Sequence, residues 1–214
     1  PDPSGRSWRL LESASSHRGH RHADTILGTV DAALERHELT RSDLGLIAVG
    51  RGPGGFTGVR VGMATAGGLA LGLGVPVWPV DSLLALAMHG ARAGVPVLPL
   101  IDARKGEVYG ALYRWDEAGQ WTCLQPALVG PADRILERAH SVSENPLVFG
   151  SGALVSGLAS PVPAPWHVGS AAHVGALAAA AFPKRRGSIF AQLSNAACRF
   201  CPLHHYPTPP PPLR

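Results

Sequence analysis

Residues 50–62 read GRGPGGFTGVRVG and place six glycines, one proline and two arginines in thirteen positions. The apolar run LGLIAVG (44–50) before them predicts a short strand. A helix is predicted from about residue 58, with Thr57 as a candidate N-cap. A strand, a glycine turn over 52–58 and a helix present backbone N–H groups at a helix N-terminus, which attracts anions, and Arg51 and Arg60 add positive charge.

The glycine spacing matches neither of the two common phosphate-loop signatures. No Gly-Lys-Ser/Thr follows, and GPGGFTG differs from the dinucleotide-binding fingerprint. Glycine also permits positive φ and the close approach of another backbone. Gly62, Ala66 and Ala70 form a smooth stripe at i, i+4 and i+8, which would let a second helix approach closely. Packing against a neighbour is therefore favoured over phosphate binding for a candidate site made of Gly52, Pro53, Gly54, Phe56, Thr57, Gly58, Arg60, Gly62, Ala66 and Ala70.

The rest of the chain alternates between strand and helix patterns. Strands are predicted at 7–15, 44–50, 75–80, 95–103, 107–115 and 145–153. Helices are predicted at 22–39, from 58 to Gly72–Gly74, from a cap at Asp81 or Ser82 through 93, at 128–139 and at 170–182. A Pro-rich loop is expected at 159–168 and a polyproline-like tail beyond 183. This alternation predicts an α/β fold.

Charge and cysteine content argue against an independent nucleic-acid-binding protein and against a disulfide-stabilised one. The 214 residues carry 19 Lys+Arg against 15 Asp+Glu, a small excess without a long basic stripe. The densest basic runs, HRGHRH (17–22) and PKRR (183–186), contain no aromatic residues, so independent nucleic-acid binding is a weak prediction. Three cysteines do not make a disulfide framework. Together with the lack of a signal-peptide pattern, they predict a cytoplasmic protein.

Residues 61–80 contain no charge and are long enough to raise a membrane span as an alternative. Pro76 and Pro79 would break the last turns of such a helix. We therefore expect a buried helix followed by a short strand, and no membrane contact.

Side chains able to do chemistry are few. Asp102, Arg104 and Glu107 surround a strand end, where acid and base groups could act together. The alternative, that Asp102 caps a turn and Arg104 pairs with Glu107, is favoured. His17, His20 and His22 lack the helical spacing of metal ligands, and CRFCPLHH (198–205) contains only half of a zinc pattern. The sequence predicts no catalytic residue and no metal site.

Several motifs resemble one family. GRGPGGFTGVRVG followed by GLALGLGVPVWPVDSLLALA, together with HADTILGTVDAAL, VLPLIDARKGEVYGALYR and, more loosely, NPLVFGSGA, is similar in order and content to bacterial TsaB, a tRNA threonylcarbamoyladenosine biosynthesis family of the Gcp-like, M22 peptidase-like group. The resemblance covers about residues 20–180. It implies an actin-like (ASKHA, ribonuclease H-like) fold of mixed sheets with flanking helices, divided into subdomains at 1–95 and 96–182, with a divergent segment at 183–214.

The resemblance also implies a function. Members of this family are non-catalytic partners of the TsaD-like threonylcarbamoyl transferase and of the TsaE-like ATPase, which modify adenosine 37 of tRNAs that read ANN codons. It implies that tRNA is bound only through the complex, that this chain alone binds no cofactor, and that ATP, and a metal if there is one, belong to the partner subunits. Docking through the first helices is expected, and a homodimer is left open.

One difference from the family pattern bears on the fold. Family members open with an apolar strand and an Asp-Thr-Ser/Thr turn, which this sequence lacks, so we expect the first strand of the sheet to be missing and one sheet position to be unpaired.

The alternative function is an ATP-binding enzyme of the actin-like fold, an ATPase or a phosphotransferase, which would use GPGGFTG for phosphate and Asp102 for magnesium. A metallopeptidase-like protein is a third and weaker alternative, because a helical histidine pair is absent.

Overall fold

Two sheets with flanking helices organise residues 9–15 and 22–182, which the computed structural model describes. The elements in chain order are α1 (His22–Arg36), β1 (Ile47–Gly50), α2 (Phe56–Leu73), β2 (Val77–Val80), α3 (Ser82–Ala87), β3 (Pro96–Arg104), β4 (Glu107–Trp115), β5 (Trp121–Gly130), α4 (Ala132–His140), β6 (Leu147–Phe149), α5 (Ser151–Ser156) and α6 (Ala171–Ala181). Short 3₁₀ turns lie at Arg41–Asp43, Met88–Gly90 and Ala164–His167.

The first sheet is a parallel pair joined by a crossover helix. β1 and β2 pair in register from Ile47 opposite Val77 to Gly50 opposite Val80, and α2 makes the connection that parallel strands need. Helix α2 packs on β1, and α6 packs on both strands. Every residue of β1 is only half-buried, although the strand is apolar. Within the described residues, β1 has β2 as its strand partner, and its second edge is unpaired.

The second sheet has the strand order β5-β4-β3-β6, antiparallel except for the parallel pair of β3 and β6. Successive residues of β3 point to opposite faces. Leu98 and Leu100 pack with Ile135 of α4 in one buried cluster, whereas Val97 packs with Leu83 of α3 in another. Because helices cover both faces, β3 is a continuous apolar run rather than an alternating one.

Two of the predicted helix ends are confirmed and one is wrong. Asp81 caps α3, since its Oδ1 accepts hydrogen bonds from the N–H groups of Leu83 at 2.9 Å and Leu84 at 3.1 Å. Gly74 ends α2 in the left-handed region at φ 66°, where glycine carries no Cβ penalty. Thr57 is not an N-cap, because α2 begins one residue earlier, at Phe56, and Gly55 takes that position.

Other predicted boundaries change. Residues 9–15 of the strand predicted at 7–15 are irregular, and helix α1 ends at Arg36 rather than at 39. Residues 128–130 of the predicted fourth helix belong to β5, which was not predicted, and 145–153 splits into β6 and part of α5. The interpretations placed on the chain start through residue 8, on His17, His20 and the His22 side chain, and on 183–214 lie outside the described residues.

Candidate functional site

The glycine loop after β1 is tied to the start of α3 by backbone and hydroxyl hydrogen bonds. The Arg51 N–H donates to Val80 O at 2.8 Å, and the Ser82 N–H donates to Gly52 O at 2.9 Å. Ser82 Oγ accepts from the Gly52 N–H at 3.2 Å. The peptide bond between Gly52 and Pro53 is cis. The hydrogen bonds to Val80 and Ser82 give the loop a defined course, which fixes where α2 begins.

Asp81 connects this loop to the second sheet. Besides capping α3, it lies 3.3 Å from Nη2 of Arg51 and 3.5 Å from the hydroxyl of Tyr113 on β4. Burial raises the pKa of the Tyr113 hydroxyl well above its ordinary value, and the Asp81 charge raises it further, so Tyr113 remains a neutral donor. This cluster could not be predicted from the sequence, because spacing alone does not place residues 51, 81 and 113 together.

One face of α2 is buried within the chain. Ala66 is 8% exposed and Ala70 is 2% exposed, and a Cβ built on Gly62 would lie 4.0 Å from Val49 on β1. The stripe predicted to face a partner helix therefore packs against the chain's own small sheet. Its small residues let the helix approach the strand closely, which is the same steric argument applied to a different neighbour.

The other face of α2 is exposed and apolar. Phe56 is 68% exposed, Met63 is 44% exposed and Leu71 is 78% exposed, with small exposed residues such as Ala64 between them. The Arg60 guanidinium lies 3.6 Å above the Phe56 ring in a cation–π contact. We call the surface formed by Phe56, Arg60, Met63, Ala64 and Leu71 the outer face of α2. Large exposed apolar surface of this kind is typical of interaction sites.

The exposure of the outer face contradicts the expectation that this apolar helix is buried. By length and composition alone, α2 could cross a membrane, and within the described residues it is the one helix that meets that test. Only 11% of its 18 residues are buried. The helix is therefore not a core helix enclosed on all sides. It is a surface helix with one buried face of small residues.

Helix α1 lies beside α2 and makes exposed ion pairs with the segments before and after it. The Arg41 guanidinium donates two hydrogen bonds, of 2.6 and 2.7 Å, to the Asp31 carboxylate, and Arg36 forms an ion pair with Glu12. The hydrogen bond from Arg36 lowers the pKa of the Glu12 carboxyl. Leu27 on α1 is 41% exposed and adds apolar surface on this helix.

The motif residues at the β3–β4 hairpin have mainly structural contacts. Asp102 Oδ1 accepts from the Arg104 N–H at 2.7 Å, which confirms that Asp102 caps a turn. The Asp102 N–H lies 3.2 Å from Ser151 Oγ. The expected pairing of Arg104 with Glu107 is wrong: Arg104 Nη1 lies 3.3 Å from Asp102 Oδ2. Glu107 is opposite Arg104 only in the strand register. Within the described residues no group of three or more metal-ligating side chains is found.

These features define a mixed α/β protein with a fixed glycine loop and an exposed apolar helix. A family model described as TsaD, tRNA N6-adenosine threonylcarbamoyltransferase, matches residues 14–183, and the chain belongs to that family. TsaB of Escherichia coli K12, a tRNA threonylcarbamoyladenosine biosynthesis protein, is 38% identical over 133 residues, which are 61% of this chain and 58% of that protein. The resemblance to TsaB is thereby confirmed.

Solved structures agree. An uncharacterized protein from Pseudomonas aeruginosa, described as similar to peptidase YeaZ, superposes with a TM-score of 0.65 at 29% identity, covering 79% of this chain and 80% of its own. YeaZ from Pseudomonas aeruginosa gives a TM-score of 0.55 at 31% identity, covering 67% and 68%. The predicted actin-like fold class is confirmed by these structures and by the family match. The chain spans about half the length of the curated relatives it matches, 58%, 41% and 56% for three of them.

Proposed function

We propose that this chain is the non-catalytic partner subunit of the complex that makes N6-threonylcarbamoyladenosine at position 37 of tRNAs reading ANN codons. In this proposal it docks on the catalytic TsaD-like transferase and supports it. The observation that carries the proposal is the outer face of α2, a helix-long apolar surface on a chain whose relatives are named for threonylcarbamoyladenosine biosynthesis.

The outer face has the composition of a protein-binding surface. Aromatic residues, methionine and arginine are enriched at protein interfaces, and Phe56, Met63 and Arg60 supply all three. Phe56 and Arg60 already contact each other in the free chain. Phe56 is therefore partly ordered before binding, which reduces the conformational entropy that it would lose in a complex. We expect Phe56 and Leu71 to be the anchors at the two ends of the contact, because they are the most exposed apolar side chains on the helix.

The glycine loop has a supporting role in this proposal. Its contacts run to Ser82, and its neighbour Arg51 pairs with Asp81, so the loop fixes the position of the first turn of α2. ATP, a metal if the reaction needs one, and the TsaE-like ATPase act with the partner subunits, and tRNA binds through the complex in the cytoplasm. The Asp102 carboxylate accepts a hydrogen bond from the Arg104 N–H and lies 3.3 Å from the Arg104 guanidinium, which favours a structural role over magnesium binding.

Titration of the transferase tests the proposal. The purified full chain is mixed with the TsaD-like transferase of the same organism, and the dissociation constant is measured by calorimetry for the wild type, Phe56→Ala and Leu71→Glu. We expect each substitution to weaken binding by tenfold or more, since hot-spot truncations typically cost about 2 kcal/mol or more. Leu71→Glu places a charge in the buried contact, so its effect should be the larger of the two.

Val155→Glu is the matched control, because Val155 is 68% exposed on α5, away from α2 in the chain. It should bind like the wild type. A wild-type chain that does not bind the transferase would refute the proposal. Equal loss in Val155→Glu would refute the assignment to the outer face. A third outcome is that the chain does not bind the transferase but self-associates, and that Leu71→Glu abolishes the self-association. The outer face would then be a homodimer surface instead.

A further inference from the structure

Two histidines meet where α6 packs on α3. His89, in the 3₁₀ turn after α3, and His173, in the first turn of α6, have ring centroids 4.4 Å apart with the planes inclined at 69°. His89 also stacks on Trp166, with centroids 6.1 Å apart. Trp166 in turn contacts the fully buried Phe149 edge-on. The pair thus lies between α6 and the core of the second sheet.

Backbone carbonyls fix the tautomer of each ring. His89 Nε2 lies 3.1 Å from Val168 O, and His173 Nδ1 lies 3.0 Å from Ala85 O. A carbonyl oxygen only accepts hydrogen bonds, so both of these ring nitrogens carry the proton in the neutral rings. The docked arrangement therefore suits two neutral imidazoles. A second proton on either ring would add a charge without adding a bond to either carbonyl.

Among the described residues no acidic side chain contacts either ring, and this includes Asp102 and Glu107 on β3 and β4, the two strands that also pack on α3. The sequences of α3, α5, β1, β2 and α6 contain one ionisable residue, His173 itself. The two 3₁₀ turns add His89 and His167, and Nδ1 of His167 lies 3.2 Å from the Gly150 nitrogen. Asp81, at the N-cap of α3, is committed to Arg51 and to the helix end, and Arg92, three residues beyond His89, is exposed.

We propose that the pair His89 and His173 is a proton-sensitive latch, which holds α6 on α3 and on the β1–β2 sheet when both rings are neutral and releases it when they are protonated. Two imidazolium rings 4.4 Å apart repel each other in a half-buried position. The other contacts of α6 with the sheet are apolar, from Val174, Leu177 and Ala178, and they do not change with pH. Helices α6 and α2 both pack on β1, so the latch also supports the strand on which α2 packs.

The direction of the pH dependence follows from burial. Burial lowers the pKa of both His89 and His173, and the neighbouring His89 lowers that of His173 further. The released state, with ordinary histidine pKa values of about 6.5, binds more protons than the docked state. The docked state is therefore fully favoured above about pH 6.5 and is lost as the pH falls from there towards the lowered values. Each proton taken up shifts the opening equilibrium by at most about tenfold per pH unit.

Hydrogen exchange on the full chain tests the latch. Exchange of the α6 amides is measured by mass spectrometry at pH 7.5 and pH 5.5, corrected for the intrinsic rate, with α4 as the internal reference. We expect α6 in the wild type to lose tenfold or more of its protection relative to α4. The double variant His89→Gln/His173→Gln keeps neutral donors for both carbonyls and should lose about threefold at most. His140→Gln, on α4, and His167→Gln are controls that should follow the wild type.

Unchanged protection of α6 in the wild type, or the full loss in the double variant, would refute the latch. A loss that disappears in His167→Gln instead would assign the effect to His167 and also overturn the proposal. If the double variant does not fold, NMR titration of the wild-type histidines decides. Midpoints for His89 and His173 below the ordinary histidine value of about 6.5 support the latch, and midpoints at or above that value refute it.

Discussion

Replacing Ala66 with leucine should destabilise the folded chain, because Ala66 packs towards β1 and is 8% exposed. The leucine adds three carbons to a contact in which a Cβ on Gly62, one turn away, would already lie 4.0 Å from Val49. Overpacking of this kind costs about 1–3 kcal/mol. For a chain of this size, each kcal/mol lowers the melting temperature by about 2–4 °C, so Ala66→Leu should melt about 2–12 °C below the wild type.

Ala64→Leu is the matched control, because it makes the same chemical change on the exposed face of the same helix. Surface substitutions usually change the free energy of unfolding by about 0.5 kcal/mol or less, so its melting temperature should stay close to that of the wild type. Differential scanning calorimetry at neutral pH measures both. Equal melting temperatures for Ala66→Leu and the wild type, or a larger loss in Ala64→Leu, would show that the two faces of α2 are assigned the wrong way round.

Three further predictions concern the core, nucleotide and tRNA. Gly150→Ala should lose about 2–6 kcal/mol in urea unfolding, since φ is +106° and the new Cβ would lie 2.2 Å from Leu100 O, whereas Gly169→Ala, with open space around it, should not. The isolated chain should hydrolyse no ATP above background, because the loop lacks a phosphate-binding lysine; steady turnover that Gly54→Val abolishes would contradict this. With 19 Lys+Arg against 15 Asp+Glu, the chain alone should bind tRNA weakly and without selectivity in filter binding near physiological salt, and selective sub-micromolar binding would contradict the partner role.

The strand–loop–helix unit from 44 to 80 could be predicted because its signals are local. An apolar run ends at a glycine loop, the helix ends at Gly74, and Asp81 caps the next helix. Each of these choices is made by the residue's own backbone preferences, independently of distant contacts. The resemblance to TsaB added the actin-like fold class. The order of the motifs indicates that class, whereas the hydrophobic periodicity alone predicts only an α/β fold.

Strand β5 could not be predicted in the same way. Its sequence WTCLQPALVG mixes polar, small and apolar residues and contains Pro126, which argues against a central strand. The strand lies at the edge of the second sheet, where a missing N–H is tolerated. It pairs with β4 as a hairpin across the turn at 116–120, with Trp115 opposite Trp121, so the local signal lies in the turn and not in the mixed sequence of the strand. Helix α5 is similar, because six residues form a helix only where packing on β3 supports them.

Helix α2 shows most clearly where the sequence stops being informative. The helix is apolar on every side, so its periodicity does not say which face the chain itself buries. The small residues Ala66 and Ala70 are inside, while Phe56, Met63 and Leu71 are outside. This is the reverse of the usual preference, since large side chains gain most from burial, at about 25 cal/mol per Å² of apolar surface. A helix that leaves its largest apolar residues in water keeps that free energy available for association, and for this reason the outer face of α2, rather than the stripe of small residues, is the surface on which the proposed partner should be sought.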